Sequence, residues 1–114
     1  DGGYIIGTEK DGLGDNNYYN WLIKTDAYGN MEWDQILVSG GGRDLLVSAI
    51  QTSDGGYIMS SQHLIKVNHQ GNLEWQISLG FPATSVKQIN DGGYATTGSG
   101  ILIKTDPNGW FLEP

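Results

Sequence analysis

The sequence predicts an all-β fold assembled from three copies of one antiparallel, four-stranded unit. Three observations predict it. Asp-Gly-Gly-Tyr recurs at Asp1–Tyr4, Asp54–Tyr57 and Asp91–Tyr94, and Leu-Ile-Lys recurs at Leu22–Lys24, Leu64–Lys66 and Leu102–Lys104. A glycine-bearing turn follows each lysine, at Thr25–Asn30, Val67–Asn72 and Thr105–Trp110. Lys24 and Lys66 lie 42 residues apart, and Lys66 and Lys104 lie 38 apart, a spacing typical of repeat architectures. No stretch keeps a 3.6-residue apolar period for ten residues, which argues against helices.

In chain order, runs rich in Ile, Val, Leu, Tyr and Thr and bounded by Gly, Asp and Asn are expected to be strands. They include Tyr4–Thr8, Trp21–Asp26, Met31–Leu37, Leu45–Thr52, Tyr57–Gln62, Leu73–Leu79, Ser85–Asn90 and Ile101–Asp106. Asp-Gly-Gly between Thr52 and Tyr57 signals a hairpin, because glycine supplies the positive φ of primed turns. Asp26-Ala27-Tyr28-Gly29 and its counterparts read as four-residue loops opened by Asp or Asn, with Gly in the left-handed position. Each turn leads to a last strand, starting Met31-Glu32-Trp33, Leu73-Glu74-Trp75 or Phe111-Leu112-Glu113.

One unit thus holds a strand ending in Gln-x-x-Asp, the Gly-Gly-Tyr strand, the Leu-Ile-Lys strand and the Glu-Trp strand. The units cover residues 1–37 (without the first strand), 45–79 and 84–114, eleven strands in all within one repeat region, 1–114. Such units at a spacing of about 40 residues have the pattern of propeller blades. The chain is therefore expected to be a partial β-propeller of about three blades; the alternative is a three-fold β-prism. A start at a hairpin turn without Met fits a segment of a longer protein.

Composition narrows the classes further. A length of 114 residues suits one hydrophobic core. Zero Cys excludes a disulfide scaffold and a thiolate metal site. A net charge of −7 with six Lys+Arg gives a nucleic-acid groove no electrostatic basis. No apolar run approaches the ~18 residues of a membrane-spanning helix.

The pattern Trp21-Leu-Ile-Lys-Thr-Asp-x-x-Gly-Asn-x-Glu-Trp33, a Gly-rich link with an Asp, then Ser-x-x-Gln-Thr-x-Asp-Gly-Gly-Tyr57 resembles tandem β-propeller repeats of secreted and surface-attached bacterial and archaeal proteins. The Asp26-x-x-Gly29-x-x-x-Trp33 element is also similar to the tryptophan-docking motif of quinoprotein-type propellers, with a turn one residue shorter. The resemblance implies an extracellular or cell-surface setting, and it implies that Trp33 and Trp75 are structural wedges packed between neighbouring blades. Glu113 stands where the last copy would carry that Trp, as in a terminal or degenerate blade.

Each candidate for chemistry has a plainer reading. Counting across the turn places Lys24 directly opposite Glu32, and Lys66 opposite Glu74, as cross-strand ion pairs of roughly 0.2–1 kcal/mol each. Lys104 faces Leu112 and is expected to lack that partner unless Glu113 reaches it diagonally. A catalytic lysine needs a depressed pKa and an electrophile site, which nothing suggests. The first copy holds an insertion, with 23 positions from Asp1 to Lys24 against 12 from Asp54 to Lys66. Its Asp11, Asp15, Asn16, Asn17, Tyr18 and Tyr19 form a candidate binding loop, where calcium could use the oxygen donors and the tyrosines could stack on a sugar or a protein. The alternating carboxylate spacing of a helix-flanked calcium loop is absent, so no cofactor is expected. Gly40-Gly41-Gly42-Arg43-Asp44 lacks the following helix and Lys-Ser/Thr of a phosphate loop, and reads as a link between units holding a local Arg43–Asp44 pair. His69 is expected in an exposed turn and His63 in a strand, without metal-ligand spacing. No Gly-x-Ser-x-Gly elbow is present, and Ser61-Gln62 and Thr96-Thr97 read as solvent-facing strand positions.

The expectation is a non-enzymatic structural or interaction module. Its partners would be further blades of the same protein or another protein chain, with a glycan as a further possibility. A carbohydrate-binding prism-like lectin and a fragment of a propeller enzyme are the alternatives. The Gln51-Thr52-x-Asp54-Gly55 stretch superficially resembles mannose-binding prism lectins, but their full Gln-x-Asp-x-Asn-x-Val-x-Tyr motif is missing from all three copies.

Overall fold

The computed structural model describes residues 2–10, 19–37 and 48–112, with Glu9 and Lys10 described by backbone alone. Within them lie ten strands and no helix: β1 (Tyr4–Lys10), β2 (Tyr19–Thr25), β3 (Met31–Leu37), β4 (Ser48–Gln51), β5 (Tyr57–Ser60), β6 (His63–Val67), β7 (Leu73–Ser78), β8 (Ser85–Gln88), β9 (Tyr94–Gly98) and β10 (Ile101–Thr105). They form three antiparallel sheets, β1-β2-β3, β4-β5-β6-β7 and β8-β9-β10, so the all-β, antiparallel expectation holds. Of the expected eleventh strand, the described residues show one bridge, Phe111 with Thr105. Leu45–Val47 and Gly40–Asp44 lie outside the described residues.

The turn between the second and third strands of each sheet has one construction. Asp26 Oδ1 accepts from the backbone N–H groups of Tyr28 and Asn30, both at 2.9 Å. Asn68 and Asp106 repeat this with Gln70 and Asn72, and with Asn108 and Trp110. A short polar side chain that bonds two residues ahead makes such a turn locally determined. These bonds, led by the Asn30 N–H, hold the Asp26 carboxyl below its ordinary pKa. The strands then pair with a shift: Lys24 faces Trp33 while Thr25 faces Met31, and Lys66 faces Trp75 while Val67 faces Leu73. Glu32 and Glu74 are the extra residues of these bulges. The simple count across the turn, which put them directly opposite the lysines, misses the inserted residue.

The three sheets stack face to face. Leu22 and Leu37 of the first pack with Tyr57, Met59, Ile65 and Val67 of the second. Ile58 and Leu64, on the second sheet's other face, pack with Val86 and Tyr94 of the third. The middle sheet is thus buried on both sides, which is why Tyr57–Ser60 reads as a continuous buried run. β4 lies beside β1, and β8 beside β4 and β5. Gln88 ties this edge: it accepts from the Ser53 N–H at 2.7 Å and donates to the Gly92 carbonyl at 3.1 Å.

The outer faces are bare. Tyr4 and Ile6 on the first sheet are 58% and 45% exposed, and Leu102 on the third is 64% exposed. Two strand expectations are corrected. Ser61 and Thr96 are buried, Ser61 in the turn after β5 and Thr96 donating to the Ser85 carbonyl at 2.8 Å; Gln62 and Thr97 face solvent. The stacking explains it, since Thr96 occupies the inward face that Met59 fills in the second sheet. The buried Asn20 amide and Ser60 hydroxyl have no hydrogen-bond partner among the described residues.

Candidate functional site

Two features repeat with enough chemistry to count as candidate sites: a buried lysine in each of the first two sheets, and an aromatic seam between consecutive sheets. Lys66 sits on β6, only 2% exposed. Its Nζ donates to Glu74 Oε1 at 2.7 Å, to the Val67 carbonyl at 3.0 Å and to Asp54 Oδ2 at 3.1 Å. Three acceptors use the three N–H donors of an ammonium, which is what burying it requires. Burial pushes the Lys66 pKa down, but the hydrogen bonds and charges of Glu74 and Asp54 outweigh it and hold it above the ordinary lysine value. A charged, fully engaged ammonium offers no lone pair to an electrophile. Lys24 repeats the geometry, donating to Glu32 Oε1 at 2.9 Å and to the Thr25 carbonyl at 2.6 Å while almost fully buried. These lysines are buried beneath their sheets, not set on a solvated strand face as simple cross-strand pairs would be. Lys104 is exposed, and among the described residues no carboxylate pairs with it.

Asp54 is the partner that strand counting missed. Its carboxylate accepts from the Thr52 hydroxyl and from the Gly56 N–H at 2.9 Å. These bonds, Thr52 first, and the Lys66 ammonium lower its pKa to about 2. An unfolded chain would titrate this group near 3.8, so its contribution is complete above that pH and fades as pH falls toward 2. The carboxylate is 59% exposed, and solvent screening reduces the contribution to about 1 kcal/mol. Asp54→Asn is expected to flatten the loss of stability between pH 4 and 2 in acid denaturation. An unchanged slope would show that Asp54 is not the titrating group.

The glycine after Gly55 has its own purpose. Gly55 has a φ of 85° and closes the turn with its N–H to the Thr52 carbonyl at 3.0 Å. The central residues Ser53 and Asp54 are not left-handed, so the hairpin turn is not the primed type expected: the glycine follows the turn as its left-handed residue. Gly56 has no positive φ; a Cβ there would run into the Val67 carbonyl oxygen and lie 2.7 Å from Lys66 Nζ. The lysine and the carbonyl it binds take up the space of a side chain. Gly3 has the same relation to Thr25 and Lys24, and Gly93 to the Thr105 carbonyl. The signal was in the sequence as an unvarying second glycine, but strand reading treats it as turn punctuation.

The seam is aromatic. Trp33 on β3 meets Tyr57 of the next sheet edge-on, with ring centroids 5.8 Å apart and planes at 63°. Trp75 on β7 meets Tyr94 at 5.9 Å and 55°. Each indole also lies over the turn glycine of the next repeat. A Cβ on Gly71 would come within 2.6 Å of the Trp33 ring, and one on Gly109 within 2.7 Å of Trp75. The structure therefore places both tryptophans between consecutive sheets.

Of the candidate binding loop, Asp11, Asp15, Asn16, Asn17 and Tyr18 lie outside the described residues, and Tyr19 is half-buried at the start of β2 opposite Lys10. Among the described residues no three His, Asp or Glu side chains are grouped to hold a metal ion. His63 opens β6 and is half-buried, while His69 is exposed in the turn beyond the other end of that strand, so the extended strand holds the two apart. An open groove of about 390 Å³ runs along the third sheet past Thr97, Ser99 and Leu102, without a titratable side chain. No described helix is long and apolar enough to cross a membrane.

No family model and no curated protein matches the chain. Among solved structures it is similar to a protein of unknown function from Bacteroides caccae, with a TM-score of 0.64 and 17% identity over 93% of this chain. The chain spans 39% of the length of that protein. At this identity the likeness concerns the fold alone.

Proposed function

We propose that the chain is a non-enzymatic structural and interaction module: about three consecutive blades of a β-propeller-type stack, belonging to a secreted or cell-surface protein. The observation that carries this reading is that one seam, Trp against Tyr and turn glycine, is used twice in succession while both outer faces stay bare. A nearest-neighbour stack of this kind gains stability from each added seam and leaves apolar surface wherever the stacking stops. The partners are further blades of the same protein or another protein chain, with glycan contact as a further role of the surface loops. The buried lysines serve the stack, each neutralised where its sheet meets the next.

A three-fold prism would require the third sheet to cover the first, and the exposure of Tyr4, Ile6 and Leu102 speaks against it. The oligomeric mass of the isolated 114 residues tests the reading. Size-exclusion chromatography with light scattering is expected to show concentration-dependent association through the bare face around Leu102. A compact, soluble monomer at all concentrations would overturn it.

A further inference from the structure

The seam has a donor side and a receiver side. The donor is the tryptophan of the last strand, Trp33 or Trp75. The receiver is the tyrosine after Gly-Gly, Tyr57 or Tyr94, together with the turn glycine, Gly71 or Gly109. The first sheet carries a complete receiver on which no described residue sits. Tyr4 pairs with Thr25 in the register that joins Tyr57 to Val67 and Tyr94 to Thr105. Yet Tyr4 is 58% exposed, where Tyr57 and Tyr94 are 3% and 2%. Gly29 keeps the left-handed φ of its counterparts, 86°, but a Cβ there would meet nothing within 4 Å. Ile6, at the position of the fully buried Met59, is 45% exposed.

We infer that the face formed by Tyr4, Ile6 and Gly29 is a docking site for an antiparallel β-sheet whose last strand presents Glu-Trp, with the indole seated between the Tyr4 ring and the Gly29 turn. The inference deepens the stacking reading and rests on it. The occupant is named by continuity with the two seams already formed, which use the same receiver parts. A second copy of this chain does not qualify. Its unpaired end carries Leu112-Glu113 in place of Glu-Trp, and a carboxylate set against Tyr4 in an apolar seam would lose its hydration without a partner.

The test restores the missing donor. The Leu112→Glu/Glu113→Trp chain is expected to self-associate head to tail at a concentration roughly tenfold or more below that of the wild type, as for adding one aromatic anchor. Gly29→Asn added to that chain should return wild-type behaviour. Asparagine tolerates the left-handed φ, and its side chain fills the seat of the indole without touching the rest of the fold. A second measurement needs no folded last strand. Titrating wild type with a peptide copying Asn72–Ser78 should move the NMR amide signals of Tyr4, Ile6 and Gly29, and its Trp→Ala version should not.

Equal association of the restored and wild-type chains, together with no peptide-induced shift, would overturn the inference. So would wild-type association that Gly29→Asn abolishes, because a second copy would then be the occupant. A wild-type monomer overturns the stacking reading instead, and leaves the peptide titration to decide about this face.

Discussion

Trp75→Ala is expected to lower the unfolding free energy by about 3 kcal/mol, while Trp110→Ala changes it by less than about 0.5 kcal/mol. The two tryptophans belong to different repeats, Trp75 to the last strand of the second and Trp110 to the turn of the third, and stand in opposite environments. Trp75 packs with the buried cluster of Ile58, Leu64, Val86 and Tyr94, and its truncation opens a cavity between two sheets. Trp110 is 74% exposed at the tip of a turn. The Trp75 value lies at the low end for buried aromatics because the indole is only half-buried. A double-mutant cycle with Tyr94→Leu should show a coupling of about 0.5–1.5 kcal/mol, the share due to the tilted ring contact itself. Denaturant unfolding monitored by circular dichroism measures all of these. A Trp75→Ala chain as stable as Trp110→Ala would mean that the seam contributes nothing to the stack.

Lys66→Ala is expected to cost about 3 kcal/mol, against about 0.5 kcal/mol or less for Lys104→Ala. Alanine removes a buried four-carbon stem as well as the charge, and it leaves the Val67 carbonyl without its donor. Glu74 and Asp54 are about half-exposed and can recover hydration, which keeps the cost from rising further. Lys66→Met keeps the stem and should cost roughly 1 kcal/mol less than alanine. The alkaline limb carries a second reading of the same group. Because the fold raises the Lys66 pKa, its contribution is complete below the unfolded value of 10.5 and disappears as pH climbs past the folded one. Wild type should therefore lose stability above pH 10.5 more steeply than Lys66→Met. Equal alkaline slopes, or equal costs for Lys66→Ala and Lys104→Ala, would remove the lysine from the account of stability.

The lysine and tryptophan positions show how far local reasoning reaches. That Lys24 and Lys66 belong with Glu32 and Glu74 follows from turn length and charge. That they are buried does not, because period-2 alternation marks two faces without saying which one another sheet will cover. Asp54 escaped notice as a Lys66 partner because it is 12 positions away, across two turns of chain, and its Asp-Gly-Gly context already had a sufficient explanation as a hairpin. Ser61 and Thr96 were misread for a related reason. A small polar side chain looks solvent-facing in sequence, and only the packing of an adjacent sheet shows that the space was taken.

By itself, the sequence determined that the chain is a β repeat, where its turns fall and which side chains recur at each register, since turn chemistry and strand alternation act over a few residues. Tertiary structure decided the rest. The turn bulge shifted Glu32 and Glu74 by one place, the close approach of the lysine and its carbonyl made the second glycine of each Gly-Gly pair obligatory, and stacking buried the middle sheet on both faces. Stacking also left Tyr4 and Leu102 bare at the two ends, a difference that the recurring motifs of three repeats cannot express, because burial depends on what lies against a face and not on the residues that form it.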